Sequence, residues 1–282
     1  MNVIGQGLRM RRMWREIGGA AMRYGLAGSG PGTIVLIHEM GGSLESWDDV
    51  AGLLPEGYAV LCPDLRGAGM SERVKDLTLD QLADDIRQLV VELGLATPVV
   101  MAGIAVGGAV ALHCAVRHKE LVGALVLMSP ALGVPREFRQ SRLEVVDTVL
   151  RSGMRTIVEG ALSGGYPEIM RARDPERYLE FRARWLGNDP ESFAATYRML
   201  IDLDLDAELA AIACPACVVA GAHDAVRTPA SMAAAREKIP GADFEILDCA
   251  HHMSVQEPGL VAELIGRFAL AHRPLPAQPE IA

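Results

Sequence analysis

The sequence predicts an α/β protein with a mostly parallel central sheet, helices on both faces, and an all-helical insertion after the sixth strand. Three observations carry that expectation. Short, uninterrupted apolar runs recur at 33–37, 58–63, 99–102, 124–128 and 216–220. Such runs suit strands buried on both faces of a parallel sheet, which do not alternate with polar residues. Helical patterns stand between them, and that alternation requires parallel pairing through right-handed crossovers. From 133 to 209 the strand rhythm stops and apolar residues recur at helical spacing instead. The expected division is a first core segment at 1–132, the helical insertion at 133–209, and a second core segment at 210–282.

Each element has its own local signal. Residues 10–28 alternate weakly around Gly18-Gly19 and read as a hairpin, with 28–32 (Gly-Ser-Gly-Pro-Gly) as the turn after it. A glycine-rich loop follows strand 33–37, and Ser43 is read as the N-cap of a short helix. Strand 58–63 runs into a turn at 64–71. Thr78 is placed to cap a helix over 79–93 that presents Leu82, Ile86 and Leu89 on one face and ends at Gly94. In the insertion, Leu143, Val146 and Leu150, then Tyr178, Phe181 and Trp185, then Tyr197, Leu200 and Ile201 mark helix faces. Asp174-Pro175 and Asp189-Pro190 mark helix starts, and some four helices are expected there. Strand 216–220, a helix at 230–239, strand 244–247 and a last amphipathic helix at 259–271 complete the core. The proline-bearing tail from Arg273 is expected to fray.

Composition narrows the function classes. Half of the 282 residues are hydrophobic, enough for a substantial core. The net charge of −9 argues against a general nucleic-acid or anionic-membrane binder. No apolar run reaches the ~18–20 residues of a membrane span, and the first dozen residues show no signal-peptide pattern. Five scattered cysteines, with Cys214 and Cys217 at C-x-x-C spacing but no second pair, read as buried thiols of a cytoplasmic protein. There is no H-E-x-x-H and no P-loop, and Gly103 to Gly108 lacks G-x-G-x-x-G spacing, so neither metal nor cofactor is expected. The expected partner is a small-molecule substrate, without nucleic acid or membrane, and a homodimer is the guess for assembly.

Four motifs, in order, carry a resemblance. Ile37-His38-Glu39-Met40-Gly41-Gly42-Ser43 is similar to an oxyanion loop of the form H-G-x-G-G-S. Asp64-Leu65-Arg66-Gly67-Ala68-Gly69-Met70-Ser71 is similar to a D-x-R-G-x-G-x-S turn. Gly103-Ile104-Ala105-Val106-Gly107 has the layout of a nucleophile elbow, G-x-S-x-G, with alanine in place of serine. Ala220-Gly221-Ala222-His223-Asp224 and Ala250-His251-His252, followed by Glu257, resemble acid and histidine loops. Together, from about residue 22 to 270, they resemble the α/β-hydrolase superfamily, in particular its enol-lactonase and C–C-bond hydrolase branch. The resemblance implies the α/β-hydrolase fold, a helical cap over the active site at 133–209, and a role in aromatic catabolism. It implies Asp224 as the acid and His252 as the base, because His252 lies five residues before Glu257; His251 is the runner-up. It implies backbone oxyanion donors at Met40 and Val106. His38 and Glu39 are candidate auxiliary groups, Glu39 standing where the family has glycine. Tyr166 and Trp185 are candidate pocket walls. Most of the arginines frequent in the insertion (Arg136, Arg139, Arg142, Arg151, Arg155, Arg171, Arg173, Arg177, Arg182 and Arg184) are expected on the solvated surface, and one facing inward would select a carboxylate.

Ala105 leaves several functions open. His252 and Asp224 could activate water or substrate directly, in a cofactor-free hydrolase acting on a small ester, lactone, amide or C–C-bond substrate. A cofactor-free lyase or oxygenase would use the same pair. An engineered nucleophile-to-alanine form of a serine hydrolase is a further reading, and a non-catalytic ligand-binding protein on a hydrolase fold is another.

Overall fold

The structure, a computed structural model, describes residues 10–272. The signal-peptide reading, which rests mainly on residues 1–9, and the expected fraying from Arg273 lie outside the described residues. Eight strands form one sheet: β1 (Arg11–Ile17), β2 (Ala20–Gly28), β3 (Gly32–Ile37), β4 (Tyr58–Pro63), β5 (Val99–Ile104), β6 (Val122–Met128), β7 (Ala216–Gly221) and β8 (Asp243–Leu247). Their order across the sheet is β1-β2-β4-β3-β5-β6-β7-β8. The β1–β2 hairpin joins antiparallel to β4, and the strands from β4 to β8 run parallel.

Period-2 geometry divides the apolar strand residues between two cores. Ile34, Leu36, Val60, Val100 and Val126 face one side; Val35, Ile37, Leu61, Met101 and Leu125 face the other. Because both sides are covered, β3, β5 and β7 are buried at every residue, which is why their sequences read as continuous apolar runs. Helices α1 (Asp48–Leu53), α2 (Leu79–Glu92) and α3 (Val106–Arg117) belong to the first half of the chain. Thr78 caps α2 through a capping box: its Oγ1 accepts from the Gln81 amide at 3.1 Å, and Gln81 Oε1 accepts from the Thr78 amide at 3.0 Å.

Between β6 and β7 the described chain is helical: α4 (Arg136–Ser152), α5 (Val158–Gly165), α6 (Glu168–Arg173), α7 (Pro175–Leu186), α8 (Pro190–Asp202) and α9 (Asp206–Leu209). Three of these are long, and three are too short to show a period in sequence. Asp174 and Asp189 cap α7 and α8, accepting from the Arg177 amide at 3.0 Å and the Ser192 amide at 2.9 Å. The inward face of α4 is Val146 and Val149, while Leu150 is exposed. After β7 come α10 (Pro229–Glu237), α11 (Met253–Gln256) and α12 (Pro258–Ala271). α1 and α12 pack on one face of the sheet, and α2, α3 and α10 on the other.

Ser43 does not cap by its side chain; its hydroxyl donates to Glu45 Oε2 at 2.6 Å. The orphan amide at that helical turn is taken from a distance by Asp64, whose Oδ1 accepts from the Leu44 amide at 2.7 Å. Asp64 is fully buried, and its Oδ2 accepts from the Met70 amide at 2.8 Å and from Arg23 Nη1 at 3.2 Å. A Cβ at Gly69, where φ is +56°, would stand 2.2 Å from that oxygen. The 64–71 turn therefore pins the loop after β3 in place and has no chemistry of its own. Replacing Asp64 with Ala would leave two amides and part of the Arg23 charge unpaired in the core. We expect Asp64→Ala to lower unfolding free energy by about 3 kcal/mol. Urea denaturation checks this, and a loss below about 1 kcal/mol would contradict the pinning role.

Candidate active site

The carboxyl ends of the parallel strands converge on one cavity of about 560 Å³, a volume suited to a small organic ligand. The loop after β3, the turn after β5 and the loops after β7 and β8 all line it, and the helical insertion supplies the remaining walls.

Ala105 stands at the tight turn between β5 and α3 with φ +52° and ψ −111°. A residue with a Cβ is held there at a cost on the order of 1–3 kcal/mol. The surrounding hydrogen bonds impose it: the Ala105 amide donates to Met128 O at 3.1 Å, and its carbonyl accepts from Ala109 and Ala131 amides at 3.1 and 2.9 Å. The flanking glycines are demanded by close backbone approach. A Cβ at Gly103 would lie 2.2 Å from Gly107 O, and one at Gly107 would lie 2.2 Å from Ile37 O. Ala105 lines the cavity with a methyl group. Val106 begins α3, so its N–H has no carbonyl partner within the helix. Met40 and Val106 both line the cavity beside Ala105.

Asp224 is 3% exposed and accepts four hydrogen bonds. Oδ1 accepts from the Val226 and Arg227 amides at 2.7 and 2.9 Å; Oδ2 accepts from Ser129 Oγ and His251 Nδ1, both at 2.8 Å. Burial pushes its carboxyl up, but the His251 hydrogen bond and charge, the Arg227 amide and Ser129 outweigh it, and the group is held below the usual carboxylate range. With Nδ1–H given to Asp224, the neutral His251 ring keeps Nε2 as an acceptor. His251 lines the cavity with Ala105.

The histidine that bonds Asp224 is thus not the one expected from spacing, although His252 lines the cavity as well. His252 makes no bond to Asp224. Its ring packs against Phe181, with centroids 4.6 Å apart, and near Tyr166 and Trp185. Its Nδ1 is buried without a partner, and burial, reinforced by the neighbouring His251 charge, pushes it well below the usual imidazole range. The backbone explains the exchange. The His251 amide is tied to Gly165 O at 3.1 Å, while the His252 carbonyl accepts from the Val255 and Gln256 amides and starts α11. Those bonds fix the two rings at an interplanar angle of 80°, one towards Asp224 and one into the insertion. Glu257, whose spacing suggested His252, is bound instead to Arg173 at 2.8 Å.

Other expected residues separate in the same way. His38 is buried away from the cavity: Nδ1 donates to Glu39 O at 2.7 Å and Nε2 accepts from the Leu65 amide at 3.0 Å. It fixes the loop and has no free nitrogen for chemistry. Glu39 is 1% exposed and lines the cavity; Oε1 accepts from Ser46 Oγ at 2.9 Å, and Oε2 is buried without a partner. Trp185 lines the cavity. Tyr166 does not; it is buried behind it against Tyr178 and Phe181, and burial pushes its phenol up to about 12. Two residues that no sequence motif assigns to the site also belong to it: Ser129, which reads from sequence only as a strand end and donates to Asp224, and Arg227, which lines the cavity. Ser129 shows its role only through its positive φ of 42° at the end of β6. Among the described residues no group of three or more His, Cys, Asp or Glu could hold a metal ion, and no helix is long and apolar enough to cross a membrane. The Cys214 and Cys217 thiols are free; burial raises both, Cys217 to about 12.

A family model described as "Serine aminopeptidase, S33" matches residues 29–259. The chain belongs to this α/β-hydrolase family. It is a hydrolase by that membership, and its relatives include esterases, lipases and enol-lactonases. Lipase LipV of Mycobacterium tuberculosis is 31% identical over 279 residues, covering 86% of this chain and 94% of that protein. A thermophilic esterase from Thermogutta terrifontis superposes with a TM-score of 0.87 at 26% identity, over 93% of this chain and 99% of its own. The enol-lactonase from Burkholderia xenovorans LB400 gives 0.86 at 25% identity, over 92% and 100%.

The buried, neutral His252 has a consequence for acid stability. An unfolded chain binds a proton at this residue below about pH 6.5 and the folded one resists it. Folding stability should therefore be complete above that pH and fall below it, by up to about 1.4 kcal/mol per pH unit. His252→Phe should flatten that acid limb in urea midpoints measured between pH 7 and 5, and an unchanged slope would contradict it.

Proposed function

We propose that this hydrolase acts on a small ester or lactone without a covalent intermediate, Ala105 occupying the position of the family's nucleophile. The observation that supports it most is the placing of the Ala105 methyl and of His251, itself bonded to the buried Asp224, on one cavity. In this mechanism His251 Nε2 takes a proton from a water held above Ala105, in the space a serine hydroxyl would fill. The resulting hydroxide attacks the substrate carbonyl. Negative charge develops on the carbonyl oxygen in front of the Met40 and Val106 amides, at the N-terminus of α3. Collapse expels the leaving oxygen, which receives the proton back from His251. Asp224 holds the imidazole in the required tautomer and balances the imidazolium.

Glu39 favours a second reading. An ionised carboxylate beside the oxyanion donors would oppose charge developing there, and it is buried at this site with one oxygen unpartnered. Direct removal of a substrate C–H proton by His251, as in a cofactor-free lyase, avoids a full oxyanion.

The test is turnover of short p-nitrophenyl esters and γ-lactones by the native protein, His251→Ala, His252→Phe and Ala105→Ser. The expected result is activity in the native protein that falls about 10²–10⁴-fold in His251→Ala, the range of a general base, and far less in His252→Phe. Activity confined to Ala105→Ser would overturn the water mechanism.

A further inference from the structure

The cavity carries two cations that the hydrolytic mechanism does not use. Arg227 follows Asp224 by three residues in the loop after β7, and Arg142 lies on α4 of the helical insertion. Both line the cavity that holds Ala105 and His251. One comes from a loop at the end of a sheet strand and the other from the insertion.

Arg227 is held firmly. Its amide donates to Asp224 Oδ1 at 2.9 Å and its Nε donates to Pro130 O at 3.3 Å. Those bonds fix the guanidinium and leave its two terminal nitrogens for other partners. Among the described residues neither Arg227 nor Arg142 forms an ion pair with a carboxylate within 4.0 Å. Arg139, Arg173, Arg177 and Arg182 of the insertion are paired, whereas Arg136, Arg151, Arg155, Arg171, Arg184 and Arg198 are not paired among the described residues; what sets Arg142 and Arg227 apart is that they line the cavity. Glu39, the carboxylate among the cavity-lining residues, bonds Ser46 instead. Burial weakens Arg227's hold on its proton, with the Asp224 charge opposing and Arg142 adding to the effect. Arg142 is exposed and Arg227 half-buried, so the incompletely hydrated charge without a carboxylate partner is chiefly that of Arg227.

We propose that Arg142 and Arg227 form an anion subsite that binds a carboxylate of the substrate at the end of the cavity away from the scissile bond. The fork of a guanidinium matches the two oxygens of a carboxylate, and two forks can hold one group from both sides. The ligand would then be a small acid with an apolar body, its body against the walls contributed by Val145, Phe193 and Leu200 and its ester or lactone towards Ala105. Because one arginine belongs to the core and the other to the insertion, the bound carboxylate also ties the two together. The orientation of the scissile bond rests on the proposed hydrolytic reading; the anion subsite does not.

The experiment is isothermal titration of the native protein with 4-phenylbutyrate, its neutral counterpart 4-phenylbutyramide, and phenyl phosphate. The acid should bind at least about tenfold more tightly than the amide, the scale of one or two charge-assisted hydrogen bonds. Arg142→Gln and Arg227→Gln should each reduce that preference, and the double variant should abolish it while leaving amide binding unchanged. Arg227→Lys, which retains charge but not the fork, should recover only part of it. Thermal melts of each variant show that the fold is intact. Equal binding of acid and amide, no binding of the acid, or a preference that survives the double variant would each overturn the proposal. So would tighter binding of phenyl phosphate than of the acid. Titrating His251→Ala separates the two readings: the acid preference should persist there. Loss of turnover without loss of preference bears on hydrolysis alone, and loss of preference without loss of turnover bears on the subsite alone.

Discussion

The Asp224 carboxylate ties together the loops at three strand ends. Ser129 reaches it from the end of β6, the Val226 and Arg227 amides from the loop after β7, and His251 from the loop after β8. A buried anion is unfavourable unless its oxygens are satisfied, and here four donors satisfy them. The arrangement works in both directions. The loops hold the carboxylate ionised, and the carboxylate fixes the loops, including the imidazole of His251, which lines the cavity. Losing any one donor would loosen the others, because they share two oxygens.

The second constraint is strain. Ala105 and Ser129, at the ends of the adjacent strands β5 and β6, both have positive φ, a conformation that residues with a Cβ adopt reluctantly. The two are joined through the Ala131 amide, which donates to Ala105 O. This cost is normally associated with presenting a side chain at a functional site. Here the presented group is a methyl, yet the turn, the glycines that permit it and the acid–base pair are all in place. A protein with only a packing role at this turn would have no reason to keep an oriented imidazole next to it. What remains at this cavity is a methyl, an imidazole oriented by Asp224 and the unpartnered first amide of α3.

Much of this was legible in the sequence. The parallel sheet could be read from its apolar runs, α2 from Thr78 and Gln81, and α7 and α8 from their Asp-Pro starts, because each of these is a local signal. The sharp turn at Ala105 followed from Gly103 and Gly107; the Gly103 contact with Gly107 O is local, whereas the approach of Gly107 to Ile37 O is made by the fold. What could not be read was which of two adjacent histidines turns towards Asp224. That depends on Gly165 O, contributed by a helix 86 residues earlier in the chain, and on Phe181 filling the space beside His252. Tyr166 looked like a pocket wall because aromatic residues at helical spacing do not show which side faces the cavity. Arg227 carried no motif at all; only the fold brings it to the same cavity as Arg142.

The helical insertion gives the cavity its apolar walls and one of its two cations, while the sheet gives the turn, the acid and the base. On the proposed reading the chemistry lies in the loops of the sheet, as attack by a water that His251 activates. That attack is tested most directly by intact-protein mass spectrometry during turnover of a hydrolysed ester. The expected result is an unmodified native mass throughout turnover, with an acyl adduct appearing when Ala105→Ser is assayed in the same way. An acyl adduct on the native protein would contradict attack by a water that His251 activates.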